Sequence, residues 1–530
     1  MDLAQILAFT VFALLAGWVL PPRWRSWLIL GASLLVVYWL QPATPIRNLG
    51  FWLATLSIGL TLWVWAITRD EENRQRTTLL TSAVIFGVIL AIALTRYLGP
   101  LCCLTAARPP QLPLVLAALS IIAILFLLAF YLRSRKLTSW VAMLVILALF
   151  LTLKTGPLAY QASAALRKLA GQDVSLASAM ELQWIGFSYL AFRLLHVLRD
   201  YQAGRLAKQS LREFAIYVFF FPAFLAGPID RSDRFVQDLR SIPDNESSLA
   251  LPVSTGKAAT GKANLSIMNP GKHEKSLPFL VSWIPNKYFP AKGSRVSFFF
   301  NLPAEDLLQG GKRILFGIFK KFVLADNLAL LALNGQNAGQ INSTPWMWVA
   351  LYAYALRIYL DFSGYTDIAL GLGRLLGVHL PENFLSPYTK TNLTAFWNSW
   401  HITLAQWFRS YFFNPVTRAL RSNPGKWPSW AIIFIGQFGV MLLIGLWHGV
   451  TWNFALWGLW HAAGLFVHNR WSDWRKGHSF AWEIRPAFKT LLSFSGWALT
   501  FHYVTLGWVW FAMPDLRQSW LVFQILFGGS

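Results

Sequence analysis

Runs of about twenty apolar residues recur from one end of the chain to the other, and nothing else in the sequence narrows its possible folds as much. They lie near 3–20, 49–68, 78–97, 113–132, 138–153, 182–198 and 213–229, with a shorter one at 27–40. A second set follows near 314–333, 346–372, 430–447, 450–468 and 487–511. In a bilayer every backbone N–H and C=O needs a partner within the protein, and apolar runs of this length meet that requirement only as helices. The expected fold class is therefore all-α, a polytopic integral membrane protein. Composition agrees: 55% of the residues are apolar and only 13% charged, against about 25% charged in soluble domains.

The formal charge of +23 could suggest nucleic acid, but the basic residues sit in short connections between apolar runs rather than on one face. Anchoring to anionic lipid is the expected role. The more basic alternate connections hold Arg23 and Arg25, Arg69 to Arg76, Arg133 to Lys136, and Arg199 to Arg212, which places the amino terminus outside. Asp2, the lack of a basic leader region and Pro21-Pro22-Arg23 read as a retained first span. The two cysteines, Cys102 and Cys103, are adjacent and cannot build a four-ligand metal site.

Between Ile229 and Leu315 the apolar pattern gives way to Pro, Gly, Ser and Lys, which predicts a polar insertion at about 241–297 between two hydrophobic halves. The segment 393–413 is the other exception. Asn398, Ser399, His401, Thr403, Gln406 and Arg409 are too many polar groups for a lipid-facing helix, so this stretch is expected to re-enter or to be enclosed by other helices. Buried polar side chains at membrane depth cost several kcal/mol unless satisfied, and they mark functional paths. Two motifs carry one histidine each, Phe396-Trp397-Asn398-Ser399-Trp400-His401 and Trp447-His448-Gly449. No metal-ligand spacing such as H-E-x-x-H occurs, and no catalytic metal is expected.

These motifs follow Asp361-Phe362-Ser363-Gly364-Tyr365-Thr366-Asp367 and Pro381-Glu382-Asn383-Phe384, and Phe224-Leu225-Ala226-Gly227-Pro228 precedes them. In that order they resemble the membrane-bound O-acyltransferases. The likeness runs over roughly Gly186 to Leu526 and is nearest to the bacterial branch with the alginate O-acetyltransferase membrane subunit and the teichoic acid D-alanyl-transfer membrane protein. Ser399 stands where relatives often carry Arg or Lys, and Ser410 where they carry Asp, a departure that bears on the acceptor or partner.

The resemblance implies a helical bundle with re-entrant segments and a central tunnel narrowing at His448 and His401. The expected division is N-terminal transmembrane helices over 1–180, a catalytic core over 181–515 containing the insertion, and an interfacial helix over 516–530. Acyl transfer to a hydroxyl needs a base and donors for the oxyanion, and imidazole suits the first task. His448, flanked by Gly445 and Gly449, is the expected base; the family's essential histidine falls on it. His401 maps to the family's second position, with a positioning role. At helical spacing it would share a face with Trp397. Trp397, Trp400, Trp447, Asn453, Arg409, Asp361 and Tyr365 are candidate substrate contacts. Asp361 and Tyr365, one turn apart, could bond each other or line the tunnel; Arg409 could meet a carrier phosphate or snorkel to the interface. Trp447, Trp452, Trp457 and Trp460 could stack on a sugar, with helix packing the commoner use of such residues.

The expected reaction passes an acyl group, acetyl first, from a cytoplasmic thioester to hydroxyls of an exported cell-envelope polysaccharide, at the bacterial inner membrane. D-Alanyl or other acyl transfer to teichoic acid or lipid is the alternative. No tightly bound cofactor is expected; acetyl-CoA or an acyl carrier is the co-substrate. The implied partners are membrane lipid, the thioester donor and an extracytoplasmic acyltransferase or carrier protein, without nucleic acid. A proton-coupled transporter is the competing class. It would need paired intramembrane acids and a repeat; the intramembrane acids are few and no repeat of fixed period is visible.

Overall fold

A computed structural model describes residues 2–19, 21–69, 75–131, 135–241, 303–422, 427–478 and 486–529. Helices and the loops between them account for all of the described residues, so the chain is an all-α polytopic membrane protein. The expected insertion near 241–297 lies outside the described residues except for Ser241.

The amino-terminal half holds α1 (Leu3–Leu14), α2 (Pro22–Trp39), α3 (Leu49–Thr68), α4 (Gln75–Leu94), α5 (Leu112–Tyr131), α6 (Arg135–Lys154) and the amphipathic α7 (Gly156–Leu169). Among the described residues, five helical stretches are long and apolar enough to cross a membrane: Leu49–Thr68, Arg76–Tyr97, Leu112–Tyr131, Lys136–Lys154 and Ser429–His448. α3 is buried along most of its length, whereas α5 leaves Leu114, Ile121, Ile124 and Leu128 more than half exposed. Such a broad apolar surface is what a lipid-facing helix presents.

Two expected spans are broken. The chain is helical over α8 (Phe187–Gln202), but the stretch expected at 213–229 is only α9 (Leu211–Phe219) followed by a tight turn at Phe221–Ala223. Pro222 and Pro228 break the helical hydrogen-bond ladder, and Gly227 weakens it. Its loose carbonyls are taken by a buried guanidinium: Arg193 donates to the Val218 and Ala223 carbonyls at 2.7 and 2.8 Å. After α10 (Ser232–Ser241), the run expected at 314–333 is likewise divided into α11 (Ala304–Ile318), a π-helical stretch over Phe319–Ala325 and the short α12 (Asp326–Ala329).

The core of the second half is α13 (Thr344–Leu375), a helix of 32 residues against which α11 lies. The two backbones meet at glycine: a Cβ on Gly317 would fall 2.5 Å from the Gly364 carbonyl. In lipid, where apolar burial between helices gives little driving force, such close approach is what lets helices associate. Arg313 and Lys320 pair with Asp367 at 2.5 and 2.6 Å, Arg313 also pairs with Glu382, and Lys321 with Asp361.

The remaining elements surround the site. They are α14 (Leu393–Trp397), α15 (Ile402–Phe408), a π-helical turn at Arg409–Phe413, α16 (Asn414–Arg421), α17 (Ser429–His448), α18 (Trp452–Lys476), α19 (Pro486–Ala512) and α20 (Leu516–Leu526). On α20, Ser519, Val522 and Ile525 turn inward while Trp520 is exposed, and Thr344 donates to the Ile525 carbonyl at 2.7 Å.

Candidate active site

The stretch 393–413 is not one continuous helix: it opens with two short helices and a turn between them, in which Ser399, His401 and Thr403 are buried while Asn398, Gln406 and Arg409 are exposed. Asn392 caps α14, accepting from the Ala395 N–H at 2.8 Å. The helix stops at Trp397, and His401 takes a left-handed conformation with φ of 44°. Trp397 and His401 are therefore not successive turns of one helix, contrary to the spacing argument. A non-glycine residue holds this conformation only where its surroundings impose it. Here the imposing segment is the Pro381-to-Phe384 motif. It runs alongside, with the Ile402 N–H on the Asn383 carbonyl and the Leu385 N–H on the Ser399 carbonyl, both at 3.0 Å.

His448 is placed by a different device. It is the last residue of α17, which pairs with α18 so tightly that a Cβ on Gly445 would sit 2.2 Å from the Phe454 carbonyl and one on Gly458 2.5 Å from the Met441 carbonyl. α17 ends there because Gly449 is extended and Thr451 caps α18. The Val450 N–H then bonds the Lys154 carbonyl at 3.1 Å, tying the turn to the end of α6.

Both histidines open on one cavity of about 50 Å³, room for a few waters or for the reacting atoms of a substrate. Its walls are otherwise apolar and aromatic, chiefly Phe362, Trp397, Trp400, Trp457, Trp508 and Phe511. The His401 ring meets Phe362 edge-on at 4.8 Å between centroids, and the His448 ring meets Phe511 at 4.7 Å. Trp447 touches both rings, at 6.1 Å from His401 and 4.5 Å from His448, and so sets the spacing between them. His448 has ring contacts but no hydrogen-bond partner among the described residues, and both Trp397 and Trp457 bury an indole N–H without one. Unpaired donors and a free imidazole beside an enclosed space can stabilise charge that develops there and take up a proton.

The other candidates stand apart from this cavity. Asn453 donates to the Met513 carbonyl and to Ser519, at 2.8 and 3.0 Å, fastening α18 to α20. Arg409 donates to Asn398 at 2.8 Å on an exposed face. Asp361 and Tyr365 do not bond each other: Asp361 pairs with Lys321, and the buried Tyr365 hydroxyl reaches the Pro222 carbonyl at 3.4 Å. Among cavity residues, Phe362, Trp508 and Phe511 carry no polar signal that a sequence reading could have caught. Asn383 was visible only as part of its motif.

Residues 333–504, which contain both histidines, match the model of the membrane-bound O-acyltransferase family. Over those residues the chain is similar to that family. It is 34% identical over 212 residues to the peptidoglycan O-acetyltransferase of Helicobacter pylori, covering 40% of this chain and 37% of that one. It is 27% identical over 332 residues to the teichoic acid D-alanyltransferase of Bacillus subtilis, 62% of this chain and 69% of the other. The probable alginate O-acetylase AlgI of Pseudomonas aeruginosa is 35% identical over 219 residues, 41% of this chain and 38% of its own. The chain thus spans well under half the length of two of these three relatives.

Proposed function

We propose that this protein is a membrane O-acyltransferase that moves an acyl group, acetyl in the first instance, from a cytoplasmic thioester to a hydroxyl of an exported cell-envelope polysaccharide. The observation that carries the reading is the pair His401 and His448 on one small cavity walled by aromatic side chains. The hydroxyl proton goes to His448, the carbonyl of the thioester receives the oxygen, and the thiol leaves. His401 positions the acceptor. The enclosed wall keeps out bulk water, which would otherwise divert the thioester to hydrolysis.

Acetyl and polysaccharide are favoured by the names of two relatives, a peptidoglycan O-acetyltransferase and a probable alginate O-acetylase. D-Alanyl transfer is the second reading, supported by the longer alignment to a teichoic acid D-alanyltransferase. The donor, acetyl-CoA or an acylated carrier, would be a co-substrate rather than a resident cofactor. An extracytoplasmic acyltransferase or carrier would receive the group where the polymer is not itself the acceptor. The location that fits is a bacterial inner membrane. Mass spectrometry of envelope polysaccharides from cells with and without the protein tests this. Loss of acetyl esters on deletion is expected; an unchanged ester pattern with loss of D-alanyl esters would favour the second reading.

A further inference from the structure

The Pro381-to-Phe384 motif does more than run beside His401. Asn383 is completely buried, and its side-chain oxygen receives three contacts: the Thr403 N–H at 3.2 Å, the Thr403 hydroxyl at 2.9 Å and His401 Nδ1 at 3.2 Å. A backbone N–H can only donate, so the Asn383 atom facing it is the carbonyl oxygen, and the amide cannot be turned over. The Thr403 hydroxyl already accepts from the Ile229 N–H at 3.0 Å, which leaves its own proton for the same oxygen. His401 Nδ1, facing an oxygen that can only accept, must carry a proton.

A neutral imidazole has one N–H. Once it sits on Nδ1, Nε2 holds a lone pair. That atom is buried and has no partner among the described residues, although the ring lines the cavity. His448 has no such orienting contact. The two histidines are therefore not equivalent: one has its tautomer fixed by a neighbour and the other is free to exchange protons at either nitrogen.

Resting on the acyl-transfer reading, we infer that Asn383 is a positioning residue that fixes His401 as a hydrogen-bond acceptor for the acceptor substrate. His448 takes the proton of the reacting hydroxyl, so the lone pair of His401 serves a second donor on the same molecule. The site then selects an acceptor with adjacent hydroxyl groups, such as a sugar or glycerol unit, over an isolated alcohol. A buried acceptor left without a donor is penalised, and such sites discriminate strongly against analogues lacking the group.

Two measurements test this on the full chain in detergent. The first is nitrogen-15 NMR of the histidine-labelled protein, with His401→Gln identifying the His401 signals. It should show a protonated Nδ1 and a bare Nε2 at neutral pH. A protonated Nε2 overturns the inference whether or not the protein transfers acyl groups.

The second compares propane-1,2-diol with propan-1-ol as acceptors for acetyl-CoA. In the wild type the diol should be favoured in kcat/KM by about tenfold, the worth of one hydrogen bond. That preference should vanish in Asn383→Leu through a raised KM for the diol, and persist in Asn383→Asp, which keeps an acceptor in place. Equal use of the two alcohols by the wild type, or an unchanged preference in Asn383→Leu, contradicts the inference. If neither alcohol is acetylated but His401 shows the expected tautomer, the acyl-transfer reading fails and the tautomer assignment stands.

Discussion

His401 reaches the cavity from a strained backbone, and its side chain should tolerate only a replacement that still offers an acceptor there. His401→Gln is expected to keep a larger share of acyl transfer than His401→Ala, because an amide can replace one hydrogen bond and a methyl none. Turnover assays on both variants check this, and equal, negligible losses would return His401 to a structural role. A second residue-scale outcome concerns Glu181, which the Arg167 guanidinium and the Ser163 hydroxyl hold down to about 2. A depressed carboxyl stabilises the folded state fully above its ordinary value of 4.5, and that contribution fades as pH falls toward about 2. Thermal melts between pH 6 and pH 3 should fall more steeply for the wild type than for Glu181→Gln. Both histidines of the site were legible in the sequence, because an imidazole in an apolar run stands out. The isolation of Asn453, Asp361 and Tyr365 from the cavity was not, since their partners Met513, Lys321 and Pro222 come from segments that no local spacing connects, and Arg409 turns to Asn398 across a helix break that helical spacing did not foresee.

The hairpin of α17 and α18 decides where His448 points. With Gly458 against the Met441 carbonyl, Gly458→Val would force the two helices apart, and overpacking of this kind typically costs about 1–3 kcal/mol. We expect a lowered melting midpoint in detergent together with loss of transfer, although Gly458 touches no substrate; a midpoint and turnover equal to wild type would show that the hairpin does not set the site. Element by element, long apolar runs such as α3 and α5 were plain in the sequence because hydropathy and length alone define them. The breaks were harder to see. The end of α9 and the start of α15 depend on Arg193 and Asn383 arriving from elsewhere in the chain, and the π-helical stretch at Phe319–Ala325 lies against the glycine contacts and ion pairs with α13.

For the whole molecule, the distribution of Arg and Lys predicts that the connections holding Arg69 to Arg76 and Arg133 to Lys136 face the cytoplasm. Single cysteines introduced there, in a background without Cys102 and Cys103, should resist an impermeant thiol reagent in intact cells; labelling of both would reverse the orientation. The Lys154 end of α6, tied to the turn after His448, would then lie toward the opposite side. The most direct test of this account is turnover of acetyl-CoA into an acetylated alginate oligosaccharide by the purified protein, beside a His448→Ala variant of equal melting midpoint. Loss of the general base should lower the rate by about 10²–10⁴-fold. Transfer by His448→Ala at close to the wild-type rate would contradict it.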